Sequence, residues 1–97
     1  MTDELALSVI LPVHDEAENL PILWKEVAEV LPVLASSTEV IFVDDGSTDG
    51  SAEIIRSLAR QDSRIRLLRF EKNAGLSAAF HAGFRAARGL QKRAAEG

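Results

Sequence analysis

The chain has 97 residues, of which 46% are hydrophobic and 27% charged, and a formal net charge of −4. That length suits one small globular domain with a thin stability margin, and with an acidic balance overall no nucleic-acid partner is expected. The absence of cysteine excludes a disulfide framework, a thiolate metal site and a cysteine nucleophile, and no run approaches the ~20 apolar residues of a membrane span.

The first apolar run, Leu7 to Val13, reads as a strand with both faces covered. A helical stripe follows: Leu20, Leu23, Trp24, Val27, Val30, Leu31 and Leu34 recur at three- and four-residue steps. Asn19 or Asp15 suits its cap, Pro21 its first turn, and Pro32 should end or kink it. The second strand is Val40 to Val43, followed by a helix carrying Ser51, Ile54, Ile55, Leu58 and Ala59 on one face, with capping side chains from Ser47 to Ser51. The third strand is Ile65 to Phe70, and Arg64, Arg66 and Arg69 mark it as a sheet edge. The third helix aligns Leu76, Ala79, Phe80, Gly83, Phe84 and Ala87, whose small members should let it lie close to the sheet. Residues 90–97 show no strand pattern and read as a short helical or frayed tail. Three strand–helix units imply parallel pairing with right-handed crossovers. The expected fold is therefore α/β, a three-layer α/β/α sandwich in a single domain over residues 1–97.

Charge is unevenly spread. Residues 1–62 hold 13 acidic and 3 basic residues, whereas 63–97 hold 2 acidic and 8 basic. The acidic start Met1-Thr2-Asp3-Glu4 is unlike a signal peptide. With the lack of thiols, it points to a cytoplasmic setting.

In such a fold, ligands bind beyond the carboxyl ends of the strands. Three loops converge there: Pro12-Val13-His14-Asp15-Glu16, Asp44-Asp45-Gly46-Ser47 and Glu71-Lys72-Asn73-Ala74-Gly75. Two carboxylates closing a buried strand are costly unless a site uses them. Carboxylates accept hydrogen bonds from ribose hydroxyls or a base N–H, and helix starts favour phosphate. A nucleotide satisfies both demands. Asp45 is the leading candidate to grip ribose or base, with Asp44 beside it, and Glu16 either meets the base or faces the first helix dipole. His14 and His81 have no nucleophile beside them in sequence. There is no P-loop and no Gly-x-Gly-x-x-Gly, so ATP hydrolysis and NAD binding lack support. A receiver-like signalling domain would need an aspartate where Phe70-Glu71 stands.

Three segments together, Leu7 to Glu16, Val43 to Gly50 and Asn73 to Ala79, resemble the family 2 inverting glycosyltransferases of GT-A fold, closest to the polyprenol-phosphate sugar transferases. The resemblance covers residues 7–89. It implies transfer of a hexose from a UDP- or GDP-sugar to an acceptor such as a polyprenyl phosphate. It implies that Pro12, His14 and Glu16 line the base pocket. Asp44 and Asp45 would hold base and ribose, and Asn73 with Gly75 would shape the floor near the diphosphate. Where the family has asparagine before the glutamate, this chain has Asp15.

The family also uses Mg²⁺ or Mn²⁺ held by an Asp-x-Asp motif after the next strand, and a later carboxylate base. This chain has no Asp-x-Asp and no aspartate beyond Asp62. The expectation is a nucleotide-sugar-binding part with no catalytic residue and no metal ligand of its own, inactive alone. The alternative is a non-catalytic nucleotide-binding or self-associating module. Without a fourth strand, Leu7 to Val13 would be an open apolar edge, and a homodimer through that strand is expected. Relatives of this kind often act at the cytoplasmic membrane face.

Overall fold

A computed structural model describes residues 5–95. Seven elements alternate along the chain: β1 (Leu7–Val13), α1 (Leu20–Leu34), β2 (Thr38–Asp45), α2 (Ser51–Gln61), β3 (Ile65–Phe70), α3 (Leu76–Ala86) and β4 (Gln91–Ala94). The sheet order is β3-β2-β1-β4, and every pairing is parallel. The α/β fold and its layers are as the sequence pattern implies, and β3 is an edge strand.

Alternation along the strands divides the core in two. Val9, Leu11, Val40 and Phe42 pack with Leu20 and Leu31 of α1 and Ile55 of α2. Ile10, Ile41 and Val43 pack with Ala79 of α3. Full burial of each such aliphatic side chain contributes roughly 1.5–3 kcal/mol. Trp24 meets Phe42 edge-on at 6.3 Å, and the Arg64 guanidinium lies 5.4 Å from the Trp24 ring. The small residues of α3 do bring it close: a Cβ on Gly83 would sit 2.4 Å from Ile10 Cγ2.

The α1 stripe is narrower than its periodicity suggests. Val30 and Leu34 are 48% and 56% exposed. Pro32 lies inside α1, whose last helical residue is Leu34. Its ring removes one ladder bond, and the helix stops within the same turn.

Two expectations are corrected at the C-terminal end. Residues 91–94 are a strand and not a helical or frayed tail; Glu96 and Gly97 lie outside the described residues. β4 occupies the side of β1 that was expected to be open, pairing Leu7↔Gln91 through Ile10↔Ala94. The expected homodimer through Leu7 to Val13 therefore loses its premise. β4 ends beside Ile10, whose carbonyl accepts the Ala95 N–H at 2.9 Å. In the same ladder phase the next β1 residue facing outward is Pro12, which has no N–H to offer a neighbour.

A buried polar network holds β4 in place. Glu39 is 3% exposed. It accepts hydrogen bonds from the Ser8 hydroxyl (2.6 Å), Arg66 Nη1 (2.8 Å) and the Arg88 N–H (2.7 Å). Ser8 Oγ in turn accepts the Gly89 N–H at 2.8 Å. Burial pushes the Glu39 carboxyl up, but the bonds from Ser8, Arg66 and Arg88 outweigh it and hold the group below its ordinary value. No helix among the described residues is long and apolar enough to cross a membrane.

Candidate functional site

Parallel register brings the ends of β1, β2 and β3 level: Val13 pairs with Asp44, and Asp45 with Phe70. The loops beyond them enclose a cleft of about 440 Å³ lined by Pro12, Val13, His14, Glu16, Asp45, Asn73, Gly75 and Leu76. That size falls in the range of small-molecule sites. Six of the seven binding residues expected from sequence share this cleft.

Asp44 does not. Neighbouring residues on a strand point to opposite faces, so Asp44 follows Phe42 toward the α1 and α2 side while Asp45 follows Val43 toward α3. Asp44 is fully buried. Its Oδ1 accepts the Ser47 N–H at 3.1 Å. Oδ2 has no hydrogen bond, and Arg69 Nε stands 3.9 Å away. Its place is structural, at the root of the loop after β2, and it is not among the residues that line the cleft.

Asp45 joins β2 to the start of α3. Oδ1 accepts the Ala74 N–H at 2.6 Å, and Oδ2 accepts the Gly75 N–H at 3.0 Å and Asn73 Nδ2 at 3.1 Å. Its carbonyl accepts from His14 Nδ1 at 2.7 Å. A carbonyl only accepts, so that imidazole nitrogen carries a proton. The 3.4 Å approach of Asn73 Nδ2 to the same nitrogen is then a contact between two donors.

Two glycines allow this closeness. Gly46 has φ +73°, and a Cβ there would lie 2.4 Å from the Asn73 backbone nitrogen. Gly75 precedes α3 with φ 99° and ψ 163°, a region essentially restricted to glycine.

The loop after β1 is clamped by the loop after β2. The N–H groups of Asp15, Glu16 and Ala17 donate in succession to Ser47 Oγ (2.9 Å), Ser51 Oγ (3.1 Å) and Asp49 Oδ2 (3.0 Å). Asp15 Oδ1 returns a bond, accepting the Thr48 N–H at 2.8 Å. Asp15 adopts φ 49°, a conformation that aspartate and asparagine tolerate better than other side chains. Either residue would supply the oxygen that Thr48 needs, which accounts for aspartate at this position. The Ser51 hydroxyl also donates to Asp49, and this bond leads the causes that hold the Asp49 carboxyl below its ordinary value.

Sequence reasoning read Ser47 to Ser51 as capping side chains. In the structure the N-cap position of α2 is Gly50, which has no side chain to cap with; Asp49 Oδ1 accepts the Ser51 N–H at 3.0 Å at the start of the helix, and Ser47, Asp49 and Ser51 also hold the neighbouring loop. Nothing in the linear spacing shows that partner. Leu76 was read as core, yet it is 50% exposed and lines the cleft. His81 is exposed on α3, away from the cleft lining.

Among the described residues no group of three or more His, Cys, Asp or Glu is placed to hold a metal ion. Asp45 already accepts three bonds, and Asp44 is closed off from the cleft. The donor set present does not fit a divalent metal.

The sequence is 40% identical over 89 residues to undecaprenyl-phosphate 4-deoxy-4-formamido-L-arabinose transferase of Aeromonas hydrophila, covering 91% of this chain and 27% of that protein. It is 41% identical over 83 residues to dolichol-phosphate mannosyltransferase of Saccharomyces cerevisiae, covering 84% and 31%. The chain thus spans between a quarter and a third of the length of these curated relatives. Among solved structures, the mannosyltransferase PcManGT of Pyrobaculum calidifontis, in complex with GDP-Man and Mn²⁺, superposes with a TM-score of 0.75 at 25% identity, over 89% of this chain and 25% of that one. S. aureus TarS 1-349 superposes with a TM-score of 0.80 at 23% identity, over 95% and 27%, a likeness of fold alone. The sequence pattern of Glycosyl transferase family 2 matches residues 8–90. That span takes in all three converging loops and the cleft they enclose, and the chain belongs to glycosyl transferase family 2.

Proposed function

We propose that the cleft holds the nucleotide end of a nucleotide-diphosphate sugar. On this reading the chain is the nucleotide-sugar-binding part of a glycosyltransferase, one that passes a hexose from a UDP- or GDP-sugar to an acceptor such as a polyprenyl phosphate. One observation carries it: Pro12, His14, Glu16, Asp45, Asn73 and Gly75, from three separate loops, line one cleft at the carboxyl end of a parallel sheet. The GDP-Man of the Pyrobaculum protein and the polyprenol-phosphate chemistry of the curated relatives support the donor and acceptor classes.

The roles follow from the geometry. Glu16 stands at the cleft wall with its main chain fixed by Ser51, so its carboxylate meets a hydroxyl or base N–H without loop rearrangement. Asp45 keeps the loop before α3 closed. The first-turn N–H groups of α3, which a helix leaves unpaired, face the same end of the sheet and suit a phosphate oxygen. Pro12 and Leu76 supply apolar surface for a base or ribose face.

A divalent metal, Mg²⁺ or Mn²⁺, stabilises the leaving diphosphate in chemistry of this class. The described residues of this chain do not supply its ligands, so they bind the donor and do not complete transfer alone. Titrating GDP and UDP while following amide shifts at 12–17, 44–50 and 72–76 tests the reading. We expect shifts confined to those loops and little change on adding Mn²⁺. No binding at millimolar nucleotide would refute it.

A further inference from the structure

We infer that Arg69 positions the cleft wall from outside the cleft, acting through the buried carboxylate of Asp44; the inference rests on the nucleotide reading above. Asp44 is fully buried, and its Oδ2 is the one buried side-chain polar atom among the described residues that lacks a hydrogen bond. A buried charge is costly unless a partner offsets it. Arg69 is that partner. Register sets the two residues side by side on β2 and β3, and Arg69 Nε stands 3.9 Å from Oδ2. The other two arginines of this edge are committed elsewhere: Arg64 to Asp62, and Arg66 to Glu39 and the Ala86 carbonyl. Among the described residues Arg69 has no other ionic partner.

The other oxygen of Asp44 carries the effect to the cleft. Oδ1 accepts the Ser47 N–H at 3.1 Å, Ser47 Oγ accepts the Asp15 N–H at 2.9 Å, and Asp15 Oδ1 accepts the Thr48 N–H at 2.8 Å. Asp15 lies between His14 and Glu16, both of which line the cleft, whereas neither Asp44 nor Arg69 does. Two hydrogen bonds therefore join a carboxylate outside the cleft to the segment that forms its wall. At 3.9 Å the Arg69–Asp44 contact is an attraction between charges and not a hydrogen bond. It needs a cation in that place and no guanidinium fork. With the cation present, Asp44 stays seated under the Ser47 N–H. Without it, the uncompensated carboxylate is drawn toward water and the turn over residues 44–48 loosens. Arg69 is thus a positioning residue for the donor.

The test pairs calorimetric titration of GDP into the whole chain with amide exchange of the free protein. We expect Arg69→Gln to weaken GDP binding about fivefold, within the range of coupling between contacting groups. It should speed exchange at Asp15, Ser47 and Thr48 and leave the Gln91 and Ala95 amides, bonded to Ala6 and Ile10, unchanged. A general loss of stability would speed all of them. Arg69→Lys keeps the charge and should match the parent in both measurements. Asp44→Asn keeps the Oδ1 acceptor and removes the charge, so Arg69→Gln should add nothing in that background. Parent-like affinity or parent-like exchange in Arg69→Gln would overturn the assignment, as would Arg69→Lys failing to the same extent. A fivefold loss that persists beside Asp44→Asn would also overturn it, by placing Arg69 against the ligand itself. The two Arg69 variants decide the matter alone if Asp44→Asn does not fold. Should the parent bind no GDP at millimolar concentration, the nucleotide reading fails and the donor-positioning role with it, and the exchange comparison still decides whether Arg69 holds the turn through Asp44.

Discussion

Asp45 sits where three loops meet, and its carboxylate does two jobs that a neutral isostere separates. Asp45→Asn keeps an oxygen for one backbone N–H. It sets an amide N–H group either against the Ala74 N–H or against both the Gly75 N–H and the Asn73 amide. We expect a loss of about 1–3 kcal/mol in urea unfolding, together with loss of nucleotide-induced shifts. Asp15→Asn is the contrasting case. It preserves both the oxygen that accepts the Thr48 N–H and the tolerance of φ 49°. Its unfolding free energy should stay within about 0.5 kcal/mol of the parent. Gly46→Ala combines a positive φ with a Cβ driven into the Asn73 backbone. A cost of about 2 kcal/mol or more is expected in the same measurement. The Asp44–Asp45 pair also shows what a closer reading of the sequence would have revealed. Period-two alternation alone forbids both carboxylates from facing one cleft. The clamp made by Ser47, Asp49 and Ser51 had no such signal, because its partners lie more than thirty residues away in the chain.

At the level of elements, β1, β2, β3 and the three helices were legible because each carries an apolar run or stripe of the right period. β4 was not. Gln91-Lys92-Arg93-Ala94 is exposed at every position and has no apolar alternation. What makes it a strand lies elsewhere: the open backbone groups of β1, and the anchoring of Arg88 and Gly89 by Glu39 and Ser8. A strand stabilised from its neighbour and its approach leaves little trace in its own residues. Gly89 is the sensitive point, since a Cβ there would lie 2.6 Å from the Ser8 nitrogen. We expect Gly89→Ala to displace the approach to β4. The Gln91 and Ala95 amides, bonded to Ala6 and Ile10, should exchange with deuterium markedly faster, while those of β2 hold their protection.

For the molecule as a whole, acid should be the weak side. Glu39, Asp49 and Asp62 all titrate below their ordinary values of 4.5, 3.8 and 3.8. For Glu39, burial works against this and the bonds from Ser8, Arg66 and Arg88 prevail. For Asp49 the Ser51 hydroxyl leads, and for Asp62 the Arg64 side chain. A carboxyl whose pKa is depressed on folding adds stability above its unfolded pKa and loses it as pH falls through the folded one. The melting temperature should therefore be level above about pH 5.5 and decline below about pH 4.5. Glu39→Gln should soften that decline while lowering stability at pH 7 by about 2–4 kcal/mol, because Arg66 loses its buried partner.

The strand order β3-β2-β1-β4 also governs when the sheet can be finished during synthesis. Strands 1, 2 and 3 can assemble as they emerge, but residues 7–10 must wait for residues 91–94 to close their other side. Until then the earliest strand made carries an unsatisfied row of backbone groups. Before residues 91–94 emerge, the growing chain therefore offers a wrong partner an apolar edge that β4 covers in the folded sheet.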